Sequence, residues 1–377
     1  MKPPAANRAR VLLLFGGRSG EHPISCATAG SILEAIDRER FEPIPVGITR
    51  DGRWTLLPDS AEGLAIRDGH LPEVTSGGPE VLPPDAVGSR EWRVVRTDGT
   101  IRPLGPVDVV FPLLHGPFGE DGAVQGLLEL TDQRYVGSGV LASAVGMDKG
   151  YMKVVFEAHG IPVAPYTVIT PAQWEAAPGA ALARAAELGF PLFVKPCRAG
   201  SSLGVAKVRD IADLEHGIVQ VVRHDPRVLV EKAVHGREVE CAVLGSPPPA
   251  PPRASLPSEI VVTGGHEFYD FEAKYLDAAG AELRCPADLP RGVQEALQAM
   301  AVAAFQAIGA EGLARVDFFY DPAAPELTQL TVNEINTMPG FTPISQYPRM
   351  WQATGVEYTE LVSELIDLAL GRRVGLR

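Results

Sequence analysis

The sequence predicts a mixed α/β protein with more than one domain, and three observations lead there. An apolar strand of the fully buried, parallel kind (residues 11–15, VLLLF) runs into a glycine loop and then a helical pattern. Strand and helix patterns go on alternating, with one interruption, as far as residue 190. Near the C-terminus two strand patterns, 315–320 and 327–336, are joined by Asp321-Pro322-Ala323-Ala324-Pro325-Glu326, which has turn composition. At 377 residues the chain is long enough for two or three domains.

Composition narrows the class. With 45% hydrophobic and 21% charged residues, a soluble protein with a sizeable core is expected. A net charge of −13 argues against a general binder of nucleic acid or anionic membranes, yet leaves room for a local basic pocket. Cys26, Cys197, Cys241 and Cys285 are widely spaced and form no metal or redox pattern, as for thiols in a reducing cytosol. The run 11–15 is too short for a signal peptide, and no stretch approaches the roughly 18 apolar residues of a membrane span. A cytoplasmic protein is expected.

In chain order, residues 1–10 read as a loose tail, 11–15 as a strand, and 16–20 as a tight strand-to-helix loop. A helix follows over 25–36, with Ala27, Ile32, Ala35 and Ile36 as its apolar positions, and then a strand over 43–48. The loop lacks the G-x-G-x-x-G spacing of a dinucleotide fingerprint. Residues 58–106 are rich in Gly, Pro and charge and read as a surface insertion. The buried strand 107–114 delivers His115-Gly116-Pro117-Phe118-Gly119-Glu120-Asp121-Gly122 at its carboxyl end, where open α/β sheets bind ligands. His115 reads either as a hydrogen-bonded structural histidine or as a ligand contact. Glu120 and Asp121 suit the positive end of a helix over 123–131.

One helix is predicted over 141–160, a strand over 162–169, and a helix over 171–189 broken near Pro178-Gly179. Strands 191–196 and 205–208 flank Cys197-Arg198-Ala199-Gly200-Ser201-Ser202-Leu203-Gly204. A glycine- and serine-rich loop between antiparallel strands can fold over phosphates with its N–H groups inward, although no Walker A sequence is present. Strands are expected at 228–232, 238–244 and 259–263, and an exposed proline-rich loop at 246–257. Residues 266–276 are aromatic and charged, a composition shared by surface loops and active-site lids. Helices close the list at 290–308 and 357–370, the former carrying Leu297, Ala301, Ala304, Phe305 and Ile308 on one side.

Side-chain period two puts Arg315 and Asp317 on one face of the first hairpin strand, and Glu334 and Asn336 on one face of the second. Two carboxylates and a carboxamide side by side are costly unless a cation lies between them. The alternatives are solvated acids on an exposed hairpin, or a hard divalent cation with oxygen ligands and a bound phosphate. Lys149, Lys195, Ser201 and Ser202 upstream favour the second: a magnesium-dependent nucleotide enzyme doing phosphoryl transfer, with no nucleophilic Ser or Cys arrangement.

The sequence resembles the D-alanine–D-alanine ligases of the ATP-grasp superfamily over nearly its whole length. The motifs, in order, are GGRSGEH, HGPFGEDG at 115–122, MDK at 147–149, FVKPCRAGSS at 193–202, EK at 231–232 with Glu238, YDFEAKY at 269–275, RVDFF at 315–319 and NEINTMPGFTPIS at 333–345. The resemblance implies an ATP-grasp fold of three domains, at 1–140, 141–230 and 231–377, with nucleotide held between the last two. It implies that a D-alanine carboxylate attacks ATP to give an acyl phosphate, and that a second D-alanine then attacks its carbonyl, supplying a peptidoglycan precursor. It assigns Asp317, Glu334 and Asn336 to two Mg²⁺ ions (Mn²⁺ substituting), and Lys149, Lys195 and Lys274 to ATP phosphates. Glu231, Lys232 and Val234 fall where adenine is held, and Glu238 where ribose is held. Glu21 and His115 belong to the first D-alanine and Ser345 to the carboxylate of the second. Arg315 and the Gly340 N–H form the oxyanion site, Arg315 serving there rather than pairing with Asp317, and Ser201 and Tyr275 link Glu21 to the lid. A homodimer is implied too, with no nucleic acid or membrane partner.

Three positions depart from the common pattern: Pro23 after His22, Ala199 in the glycine-serine loop, and Gln346 after Ser345. Tyr275 in an intact AKY motif favours amide formation over the competing reading, a ligase making D-alanyl–D-lactate. A catalytically silent nucleotide-binding protein on the same scaffold is the alternative from another class. Against it, every matched metal, lysine and arginine position is filled.

Overall fold

A computed structural model describes residues 8–66, 71–96, 98–200, 204–263, 281–325 and 328–375. They form three sheets. The first contains β1 (Ala9–Gly16), β2 (Phe41–Ile48), β3 (Trp54–Leu56), β4 (Glu80–Leu82), β5 (Glu91–Val95), β6 (Ile101–Pro106) and β7 (Val109–Pro112), in the order β6-β5-β4-β3-β2-β1-β7. β1 lies parallel to β2 and β7. Residues 11–15 are wholly buried, because helices cover both faces of a parallel centre and leave no polar side.

The stretch 58–106 is not a surface insertion. Its strands β4, β5 and β6, with β3 just before it, extend the sheet antiparallel. Trp92 anchors them: it is fully buried, stacks on Trp54 at 6.0 Å, and donates its indole N–H to Gln133 at 3.3 Å. Short, half-exposed edge strands bury too few alternate positions to stand out from a Gly- and Pro-rich background. One signal was present: Asp98-Gly99, with Gly99 at φ +79°, lies in the β5–β6 turn.

The second sheet contains β8 (Tyr166–Ile169), β9 (Leu192–Pro196), β10 (Ala206–Val208) and β11 (Val228–Lys232), all antiparallel, in the order β10-β9-β11-β8. Helices Pro171–Ala176 and Pro178–Ala186 confirm the break at Pro178. A further helix, Ile211–Val221, was not foreseen; it buries Leu214, Ile218 and Val221 against this sheet.

The third sheet contains β12 (Arg237–Leu244), β13 (Arg253–Ala254), β14 (Ser258–Val262), β15 (Ala281–Arg284), β16 (Leu313–Tyr320) and β17 (Leu330–Asn336). Its order is β15-β14-β12-β16-β17, with β13 on β12, so the proline-rich loop holds one short strand. Helix Arg291–Ala307 buries Leu297, Ala301, Ala304 and Phe305 in a cluster with Val239, Val316 and Val332. Helix Gln346–Thr354, also not foreseen, and helix Tyr358–Leu370 pack with Val11 and Phe111, so the C-terminus is folded back onto the first sheet. The four cysteines are free thiols. Among the described residues no helix is long and apolar enough to cross a membrane.

The single helix expected over 141–160 is two, Val140–Met147 and Lys149–Ala158. Asp148 breaks it. Its backbone is extended (φ −88°, ψ 100°) and its carboxylate accepts the N–H groups of Gly150 at 3.0 Å and Tyr151 at 3.1 Å. Capping therefore outcompetes continuation of the helix, and Lys149 begins the second helix. Asp148→Ala is expected to destabilise the fold by about 1 kcal/mol, read by urea denaturation. A loss within error would contradict this account of the break.

Candidate active site

One cavity of about 900 Å³ is lined by Glu21 and His115 from loops beside the first sheet, by Lys195 and Glu231 of the second sheet, and by Arg315 and Glu334 of the third. The β16–β17 hairpin forms one wall. Its register sets Arg315 opposite Asn336 and Asp317 opposite Glu334, with an irregularity between Asp317 and Phe318. All four side chains line the cavity, so the acids are not solvated on an exposed hairpin.

Arg315 does pair with Asp317, against the expectation that it stands apart. Its Nε is 2.6 Å from one carboxylate oxygen and its Nη2 is 2.7 Å from the other. Positions i and i+2 share a strand face, and an arginine stem is long enough to fold back along it. Asn336 donates its amide N–H to Asp317 at 3.1 Å. Glu240 on β12 stands directly opposite Asp317 and lies 3.2 Å from Arg315.

The lysines come from the facing side. Lys149 Nζ is 3.0 Å from Glu334 and donates to the Ala199 carbonyl at 2.9 Å. That contact is made by backbone, so the small side chain of Ala199 leaves it intact. Burial works against the Lys149 charge, but Glu334 holds its pKa above the ordinary lysine value. Lys195 Nζ lies 3.3 Å from Asn333 and 3.5 Å from Glu231. Glu231 is almost fully buried; burial would raise its pKa, yet Lys153 and Lys195 hold it below the ordinary value. Lys153, fully buried 3.3 Å from Glu231, was missed by the sequence reading. Its position one helical turn after Lys149 was the available signal. Lys232 turns its ammonium to the Gly189 and Phe190 carbonyls, while Val234 and Glu238 line the cavity.

At the other end, β1 leads to Glu21 at the start of helix His22–Ala35. Pro23 sits in that helix's first turn, where its missing N–H is harmless. His22 ties the loop down: Nδ1 donates to the Gly17 carbonyl at 2.6 Å and Nε2 accepts the Val74 N–H at 2.9 Å. Gly116 has φ +71°, and a Cβ there would lie 2.3 Å from a Glu21 oxygen. Only glycine brings the two loops this close.

His115 is buried, with Nδ1 3.0 Å from the Met338 carbonyl and Nε2 3.3 Å from the Thr28 hydroxyl. The carbonyl can only accept, so Nδ1 carries the proton and Nε2 accepts. Burial lowers the His115 pKa below 6.5, against Glu21 and the Met338 carbonyl, which raise it. The unfolded chain then binds a proton that the folded chain does not. Stability from this group is present above pH 6.5 and is lost as pH falls through the lowered value. His115→Gln is expected to flatten that acid-side loss, read by denaturation below pH 6.5. An unchanged slope would contradict it.

Glu120 does not cap the following helix as expected. Asp121 accepts the Ala123 N–H at 3.0 Å, and Glu120 instead accepts N–H groups from Gly116 at 2.6 Å and Met338 at 3.1 Å, joining the two loops. Ser345 accepts the Thr342 N–H at 3.1 Å and opens helix Gln346–Thr354. Gln346 turns its side chain to Ser258, 3.1 Å away, which leaves its backbone at the helix start. A Cβ on Gly340 would sit 3.2 Å from the Ser345 hydroxyl. Ser201, Ser202, Lys274, Tyr275 and the aromatic loop 266–276 lie outside the described residues.

Asp317, Glu334 and the Asn336 amide offer oxygen donors alone, which fits a hard divalent cation better than zinc or copper. Among the described residues no group of three or more His, Cys, Asp or Glu could hold a metal by itself.

Three sheets, and a cavity with lysines on one side and an acid-bearing hairpin on the other, agree with the ATP-grasp fold of the relatives that follow. Residues 10–138 match the family described as D-ala D-ala ligase N-terminus, and residues 155–367 match D-ala D-ala ligase C-terminus. The chain belongs to the D-alanine–D-alanine ligase family. A relative of that name from Kineococcus radiotolerans is 53% identical over 373 residues, 98% of this chain and 99% of its own. One from an Arthrobacter species is 52% identical over 375 residues, 99% of this chain and 97% of its own. Among solved structures, the D-alanine–D-alanine ligase of Coxiella burnetii superposes with TM-score 0.79 at 34% identity, covering 97% of this chain and 95% of its own. The VanG D-Ala:D-Ser ligase of Enterococcus faecalis gives 0.82 at 32% identity, covering 96% and 100%.

Proposed function

We propose that this chain joins two D-alanine molecules into D-alanyl–D-alanine at the cost of ATP, through a D-alanyl phosphate, for peptidoglycan synthesis. The observation that carries it is one cavity whose wall combines Arg315, Asp317, Glu334 and Lys149 with Glu21 and Ser345. A carboxylate becomes an acylating agent only once its oxygen is a good leaving group, so phosphate-binding and amino-acid-binding groups must share one enclosure.

Lys149 and Lys195 screen the phosphates as the first D-alanine carboxylate attacks. Asp317, Glu334 and Asn336 would hold Mg²⁺, or Mn²⁺, which supplies neutralisation of the phosphate charge. Glu231, Lys232, Val234 and Glu238 receive the nucleoside. Glu21 takes the ammonium of the first D-alanine, with His115 holding the neighbouring loops in place. Arg315 and the Gly340 N–H meet the oxyanion that forms when the second amine attacks, and Ser345 receives the second carboxylate. Ser201, Ser202, Lys274 and Tyr275 are proposed to complete the phosphate site and the lid. The proposed organisation is three parts, 1–140, 141–230 and 231–377, in a cytoplasmic homodimer. With heavy oxygen in the D-alanine carboxylate, one labelled atom is expected in the released phosphate. Unlabelled phosphate would overturn the acyl-phosphate route.

A further inference from the structure

We propose that Glu240 is a positioning residue that keeps the Arg315 guanidinium in place when the Asp317 carboxylate turns to a divalent cation. The inference rests on the metal role proposed above for Asp317 and Glu334.

Strand register puts Glu240, Asp317 and Glu334 side by side on β12, β16 and β17. Directly opposed residues on neighbouring strands stand about 5 Å apart, so this is one row of three carboxylates. Asp317 is the middle one. The Glu334 side of the row carries Lys149, and the Glu240 side carries Arg315, whose Nε lies 2.6 Å from Asp317 and 3.2 Å from Glu240. The side chains of Arg315, Asp317 and Glu240 are only 19%, 13% and 5% exposed.

Each Asp317 oxygen keeps a lone pair beside the arginine fork, but a cation held there would repel the guanidinium and weaken the fork. A largely buried guanidinium stays charged and requires a carboxylate partner. If Asp317 were its sole carboxylate, cation and arginine would compete for one group. Glu240 removes that conflict. Asp317 and Glu334 would hold the cation, and the Arg315 guanidinium would turn from Asp317 toward Glu240, 3.2 Å away, without leaving the cavity. Sequence reading passed over Glu240 because it lies on a different strand, in a run that matched as a nucleoside wall.

The test is a pair of variant cycles. In metal-free buffer, Glu240→Gln and Asp317→Asn each leave Arg315 one carboxylate of the row's near pair, and the double variant leaves neither. The fall in melting temperature of the double is expected to exceed the sum of the singles by roughly 3 °C. Additive falls would overturn a shared guanidinium. In the loaded enzyme, Glu240→Gln is expected to bind ADP with wild-type affinity at saturating Mg²⁺ while kcat stays about tenfold low. Glu240→Gln with Arg315→Lys should be no slower than Arg315→Lys alone. Recovery of kcat at high Mg²⁺, or multiplicative losses, would show Glu240 to be only a nearby charge and would overturn the proposal. Mg²⁺-independent ADP binding by the wild type would instead overturn the metal site on which it rests.

Discussion

Glu334→Gln is expected to lower ATP-dependent turnover by about 10³-fold, with the fold intact. Glu334 faces Asp317 across the hairpin and pairs with Lys149 at 3.0 Å. It therefore acts at the meeting point of the proposed cation and the phosphate-binding lysine. Glutamine keeps the shape and removes the charge. The cation would lose one of its two carboxylates, and Lys149 would lose the partner that sustains its charge against burial. ADP release with D-alanine and Mg²⁺ present measures the effect. Activity within tenfold of wild type would exclude Glu334 from the metal site.

Arg315→Lys is expected to lower kcat by about 10²-fold while ADP binding changes little. Lysine keeps the positive charge but not the planar fork that meets Asp317 at 2.6 and 2.7 Å. Arg315→Ala adds a second effect, because it leaves Asp317 and Glu240 buried without this cation, at a cost to stability of about 3 kcal/mol. Rapid-quench kinetics with ADP titration separates the chemical from the binding effect. Loss of nucleotide binding in a folded Arg315→Lys protein would place Arg315 on the phosphates instead of the oxyanion.

Much of this site was legible in the sequence because strand periodicity is simple. Period two predicts that Arg315 and Asp317 share a face, and turn chemistry predicts that Glu334 and Asn336 come opposite. The structure bears out both. Pairings across non-adjacent strands were not legible. Glu240 reaches Arg315 because β12 lies beside β16, a choice of neighbour that no local pattern in 238–244 encodes. The same holds for Glu120, whose bond to Met338 spans most of the chain, and for Lys153, whose meaning depends on Glu231 being buried beneath it. The small strands β4 to β6 escaped for another reason: few of their side chains are buried, and Val81 and Trp92 reach a core cluster built mostly by other strands, so their own periodicity is weak. Asp148 misled the reading because a capping side chain within a helical pattern can be read as surface until its N–H partners are seen.

The reaction itself can be read by product analysis after incubation with ATP, Mg²⁺ and D-alanine, with D-lactate as a competing acceptor. D-alanyl–D-alanine, ADP and phosphate are expected in equal amounts, with no ATP consumed when D-alanine is left out. ATP turnover that ignores D-alanine, or D-alanyl–D-lactate as the main product at neutral pH, would contradict the proposed reaction.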